Sequence, residues 1–81
     1  MILRIIELEI LSDFNLSPVF NDGTRKRVNV FPLLNGPIFE PLRARKTFAK
    51  AQLDPECGTV IWPNGADLAP EALYELEGVS V

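Results

Sequence analysis

The sequence predicts an α+β fold: a small antiparallel sheet, made of a three-stranded meander plus a second hairpin, with short helices that include one at the C terminus. Three observations carry this expectation. Residues 2–31 contain period-two runs broken by turn signals, of which Asn21-Asp22-Gly23 is the strongest, because Asp-Gly readily supplies the positive backbone angles of a tight hairpin. Thr59-Val60-Ile61-Trp62 is a β-branched and aromatic run that follows the turn-forming Asp54-Pro55-Glu56-Cys57-Gly58. From Asp67 onward Leu68, Ala69, Ala72, Leu73 and Leu76 recur at helical spacing, with Glu71, Glu75 and Glu77 outward.

The first strand is expected over Ile2 to Leu11, with Ile2, Ile6, Leu8 and Ile10 on one face and Glu7 and Glu9 on the other. Arg4 interrupts the apolar face. A helix competes here, since neither glycine nor proline breaks the run, but the isoleucine content and the sequel favour a strand. Ser12-Asp13 is the first turn signal. Phe14, Leu16 and Phe20 continue on a period of two, with Asn15, Ser17 and Val19 opposite, and Pro18 points to an edge or a bulge. The returning strand runs from about Arg25 to Phe31, with Val28 and Val30 on one face and Arg25, Arg27 and Asn29 on the other.

Pro32, Pro37 and Pro41 with Gly36 forbid a long helix, so Leu33 and Leu34 fall in a single turn, and Ile38, Phe39 and Leu42 anchor an irregular crossing. Arg43 to Lys50 is expected to be helical with Phe48 buried, and Ala51 and Leu53 belong to a short strand. Pro63-Asn64-Gly65 suits a tight turn, since proline presets the first central angle and the next two residues tolerate unusual ones. Asp67 is expected to cap the last helix, with Pro70 in its first turn and Gly78 at its end. Val79-Ser80-Val81 is expected to fray or to form a small interface contact.

Eighty-one residues, 47% of them hydrophobic and 23% charged, are expected to form one domain over residues 1–81 with a small core, which favours a dimer or a partner subunit. Cys57 is the only cysteine and there is no histidine, so one chain forms no internal disulfide and assembles none of the common zinc sites. Residues 1–11 carry Arg4, Glu7 and Glu9, unlike a signal peptide or a membrane span, so the cytoplasm is the expected compartment. The net charge of −3 hides a segregation: −3 over residues 1–24, +6 over 25–50 and −6 over 51–81.

Phe20-Asn21-Asp22-Gly23, Pro32-Leu33-Leu34, Phe39-Glu40-Pro41-Leu42, Phe48 and the ending Gly58-Thr59-Val60-Ile61-Trp62-Pro63-Asn64-Gly65-Ala66-Asp67-Leu68-Ala69-Pro70-Glu71-Ala72-Leu73-Tyr74 occur in a characteristic order. Together they resemble the bacterial family known as domain of unknown function 2442, over nearly the whole chain. The resemblance implies a small α+β domain. Some such proteins add a C-terminal helix-turn-helix, which a chain stopping at Val81 is expected to lack. The family is often encoded beside another small protein, which implies a partner-binding or toxin–antitoxin-like role, and it brings no catalytic residues.

The polar-capable residues of the ending are Trp62, Asn64, Asp67 and Tyr74. An enzyme would line a pocket with them and use Asp67 as general base. That reading lacks a histidine, an activated nucleophile, a phosphate-binding loop and a metal constellation, and no cofactor is expected. The preferred reading is non-catalytic, with Asp67 as a cap, Asn64 in the turn and Trp62 in the core or an interface. Cys57 has no neighbour expected to depress its pKa. The leading function is therefore a self-associating or protein-binding module that uses a strand edge or the Trp62–Tyr74 region, since a +6 segment can meet a −6 segment of a second copy. The alternative is nucleic-acid binding through Arg25, Lys26, Arg27, Arg43, Arg45 and Lys46, which an acidic overall balance disfavours.

Overall fold

Two antiparallel meanders and the irregular chain that joins them make up the fold, described for residues 2–78 in a computed structural model. Strands β1 (Ile5–Ile10), β2 (Asn15–Phe20) and β3 (Val28–Asn29) form the first sheet, in the order β1-β2-β3. Strands β4 (Gln52–Asp54), β5 (Thr59–Ile61) and β6 (Asp67–Leu68) form the second, in the order β4-β5-β6. Between the sheets run two 3-10 turns, Phe31–Leu33 and Glu40–Arg43, and helix α1 (Arg45–Phe48); helix α2 (Pro70–Tyr74) closes the described chain. The α+β class is as predicted.

The predicted apolar face of the first strand is corrected by a register shift between Ile5 and Glu7. A bulge adds one residue and so reverses the alternation. Ile5 is buried, while Ile2 and Ile6 lie 81% and 52% exposed. Beyond the bulge Leu8 and Ile10 pack against the core and Glu7 and Glu9 face outward. Phe14 is not in a strand either. Asp13 and Phe14 both have positive φ, 57° and 65°, and the Asn15 N–H donates to the Ser12 carbonyl at 3.2 Å, which closes a tight turn.

Pro18 lies in the central strand and not at an edge. The Lys26 N–H donates to its carbonyl at 3.2 Å, but proline has no N–H to return the bond. The ladder lapses there, and the long third strand expected from Arg25 shrinks to Val28–Asn29 with an isolated bridge between Val19 and Arg25.

Asn21-Asp22-Gly23 and Pro63-Asn64-Gly65 are three-residue hairpin loops of the same kind, each with glycine at a φ of about +90° in its last position. The second loop turns β5 back on itself, so Asp67 pairs with Ile61 and Leu68 with Val60. The second hairpin thereby gains a third strand, and Asp67 caps nothing: α2 starts at Pro70 behind Ala69, without a side-chain cap. It ends at Tyr74, four residues short of Gly78. The expectation for residues 79–81 lies outside the described residues.

A single apolar cluster joins the two sheets. Ile5, Leu16, Phe20 and Val28 come from the first, Val60 and Leu68 from the second, Leu34, Leu42 and Phe48 from the crossing, Trp62 from the β5–β6 loop and Leu73 from α2. The sheets meet where the Ile5 N–H donates to the Gly58 carbonyl at 2.9 Å and the Arg4 guanidinium donates to the carbonyls of Pro55 and Glu56 at 2.7 and 2.8 Å.

Candidate functional site

The four candidate residues of the ending do not form one site. Trp62 is buried, 3% exposed; its indole N–H donates to the Phe48 carbonyl at 3.0 Å and its ring lies 5.9 Å from that of Phe48. It belongs to the core and is not available as an interface residue. Asn64 ties the loop to the crossing, donating to the Ile38 carbonyl at 2.9 Å and accepting from the Ala66 N–H at 3.1 Å. Asp67 is exposed on a two-residue strand. Asp67→Ala is accordingly expected to change unfolding stability by no more than about 0.5 kcal/mol in a urea titration; removal of a true helix cap would cost about 0.5–2 kcal/mol.

Tyr74 sits apart from Trp62, with its ring edge-on to Phe20 at 4.9 Å. Its hydroxyl donates to Asp22 at 2.7 Å, and Lys26 lies over its ring and bonds the carbonyls of Tyr74 and Leu76. The first hairpin loop thus holds down α2. The Tyr74 hydroxyl bond, followed by those from Thr24, lowers the Asp22 pKa below its ordinary 3.8. A depressed carboxylate stabilises the fold above its unfolded pKa and loses that contribution as pH falls through the folded one. The stability lost in Tyr74→Phe is therefore expected to be full at about pH 5 and above, and to shrink below pH 4 as Asp22 protonates, in denaturation curves taken across pH.

The basic residues are divided among different neighbours. Arg25 lies beside Glu7, Glu9, Ser17 and Val19 on the outer face of the first sheet. Lys26 is held by α2, and the Arg27 Nε is buried with no partner among the described residues. Arg43 donates to the Leu34 carbonyl and the Asn35 side chain, both at 2.8 Å, and lies over the Phe31 ring. Arg45 pairs with Asp13 at 3.2 Å, and Lys46 is exposed on α1. At Cys57 the carboxylate of Asp54 pushes the thiol pKa up, opposite to what a reactive thiolate needs.

Two features of the surface stand out, a strand edge of the kind expected for an interface and a hollow that includes Arg45 of the basic candidates. The first is the free side of β1: this six-residue strand is the edge of its sheet and pairs only with β2. Apart from the bond of Ile5 to Gly58, no backbone bond among the described residues joins Ile5–Ile10 to another segment. The second is a hollow of about 200 Å³ lined by Leu11, Ser12, Asp13, Phe14, Arg45, Phe48 and Ala49. Its walls are apolar, and the Asp13–Arg45 pair stands at one side. No group of three or more His, Cys, Asp or Glu residues among those described is placed to hold a metal, and no helix there is long and apolar enough to cross a membrane.

A family model described as protein of unknown function (DUF2442) matches residues 5–78, nearly the full length of the chain. The chain belongs to this family. No curated protein and no solved structure matches it. The DUF2442 span takes in both sheets, both helices, the β1 edge and the hollow. The signature ending of this DUF2442 chain is spent on a loop, a strand pair and a core indole, while its open surfaces come from the N-terminal third and α1. The edge was partly legible in the sequence, since Glu7 and Glu9 alternate with apolar residues on an early strand. The hollow was not, because it depends on the left-handed backbone at Phe14.

Proposed function

We propose that this DUF2442 domain is a non-catalytic protein-binding module that takes an extended segment of a partner protein onto the free edge of β1. The observation that carries the reading is that edge itself: beyond the Ile5–Gly58 bond, Ile6–Ile10 have one side unpaired among the described residues, and Ile6 is 52% exposed at the bulge. Strand addition gives affinity through main-chain bonds and specificity through alternate side chains. Glu7 and Glu9 set the chemistry of the partner, which carries Lys or Arg at alternate positions.

A second copy is the less favoured occupant. An antiparallel two-fold pairing of β1 with itself that keeps the outer face outward sets Glu7 against Glu7, Glu7 against Glu9, or Glu9 against Glu9. Like charges directly opposite are destabilising. A distinct small protein, as in a toxin–antitoxin-like gene pair in the cytoplasm, fits the edge better. The scattered engagement of Arg25, Lys26, Arg43 and Arg45 supports a protein partner over a nucleic acid, which calls for one basic face.

The test is capture from the native cell with the wild-type chain and with the Glu7→Lys/Glu9→Lys variant, whose substitutions are exposed. A protein retained by the first and released by the second supports the reading. A protein retained equally by both overturns it, as does salt-sensitive nucleic acid in its place.

A further inference from the structure

The hollow beside the first turn has the makings of a small-molecule site that is independent of the β1 edge. Leu11, Phe14, Phe48 and Ala49 form its apolar walls. Phe14 is held in place from several directions, its ring edge-on to Phe31 at 5.0 Å and to Phe48 at 5.2 Å. The Val30 N–H donates to its carbonyl at 2.9 Å. The buried Asn15 amide donates to the carbonyls of Ser12 and Asp13 at 3.0 and 3.3 Å, and Asn29 adds a bond to the Asp13 carbonyl at 3.0 Å. A bulky residue in left-handed backbone persists only where its surroundings over-determine it. Here they do, and the result is a preformed wall instead of a collapsed one.

The mouth is charged. Arg45 and Asp13 meet through one 3.2 Å contact, with side chains 78% and 68% exposed, so water competes for both and their pairing is weak. Between Arg43 and Lys50 the chain carries four cations and no anion. An incoming carboxylate is attracted by that segment, and a guanidinium receives it in two-pronged fashion. The volume is smaller than that of sites for drug-sized ligands, roughly 300–1,000 Å³, and fits one ring on a short tether.

We infer that this hollow binds a small aromatic carboxylate, with its ring against the wall made by Phe14 and Phe48 and its carboxylate on Arg45. Trp62 reports on the event, since its ring packs on Phe48 and its indole N–H bonds the Phe48 carbonyl. The full chain is titrated with 3-phenylpropionate and with its neutral counterpart 3-phenylpropanol, read by Trp62 fluorescence and by backbone amide shifts. The acid is expected to saturate with a dissociation constant on the order of 1 mM, shifting amides of residues 11–14 and 45–49. The alcohol is expected to bind about five-fold more weakly, a difference lost in Arg45→Gln and kept in Lys50→Gln. Ala49→Trp, which fills the hollow from an exposed position, is expected to abolish binding of both. Equal binding of acid and alcohol to the wild type overturns the inference. So do shifts that never saturate, equal effects of Arg45→Gln and Lys50→Gln, or unimpaired binding to a folded Ala49→Trp variant.

Discussion

Gly58→Ala is expected to destabilise the fold by about 2–4 kcal/mol, measured as the loss of unfolding free energy in a urea titration. Gly58 has a φ of +68°, where an L side chain is strained, and a Cβ built on it meets the Arg4 Cβ at 2.7 Å and the Arg4 Cα at 3.1 Å. The nearer contact is closer than real Cβ atoms approach, and its neighbour is the first side-chain carbon, fixed in place by the backbone, not the tip of a flexible side chain. Relief requires moving the segment that donates the Ile5 N–H to the Gly58 carbonyl, which is the seam between the sheets. Gly23→Ala separates the two effects. Gly23 has a φ of +90° with nothing within 4 Å of the added Cβ, so only the backbone penalty of about 1–2 kcal/mol is expected there.

Trp62→Ala is expected to be worse, at about 3–5 kcal/mol. A chain of 81 residues has a total stability of roughly 4–12 kcal/mol, so the variant is expected to lose much of its cooperative transition in thermal circular dichroism. Trp62 is packed against Phe48, and Phe48 in turn against Phe14, which makes the indole one end of an aromatic row crossing from the second sheet to the first turn. Trp62→Phe keeps most of the apolar contact and removes the indole donor, while the Phe48 carbonyl still accepts from the Ala51 N–H at 3.1 Å. It is expected to cost about 0.5–1.5 kcal/mol, the net worth of one hydrogen bond whose acceptor keeps another donor. The tryptophan of the signature ending is therefore a structural member, and its removal is expected to act on folding before it acts on any binding.

Local chemistry made the turns legible. Asn21-Asp22-Gly23 and Pro63-Asn64-Gly65 were read from residue type alone, because few residues accept the backbone angles those positions demand. What followed each turn depended on longer-range pairing. Asp67 with Pro70 three residues later has the spacing of a helix start, yet the three-residue loop before it returns the chain to β5, and strand pairing takes precedence over capping. In β1 the expected faces hold for Leu8, Ile10, Glu7 and Glu9 but not for Ile2 and Ile6, because one bulged residue between Ile5 and Glu7 shifts the alternation there and no residue type announces it. Pro18 points to an edge or a bulge because it lacks a donor; the sheet tolerates it in the central strand by giving up part of the β2–β3 ladder.

The candidate sites fared unevenly for the same reason. Composition identified Trp62, Asn64, Asp67 and Tyr74 as a group, but burial removed Trp62, the loop engaged Asn64, and Tyr74 joined the other hairpin. The basic segment is continuous in charge along the chain and discontinuous in space, since Arg25 faces the acidic side of β1 while Arg43 lies against the 3-10 turn and Arg45 against Asp13.

Amide hydrogen exchange on the chain alone and in complex with the partner captured from its own cell addresses the role of the β1 edge without a mutation. Strand addition is expected to slow exchange along residues 6–10 and to leave α2 and the β5–β6 loop unchanged. Unaltered exchange along β1, with new protection confined to the basic residues between Arg25 and Arg45, would show that the domain meets its partner through a different surface.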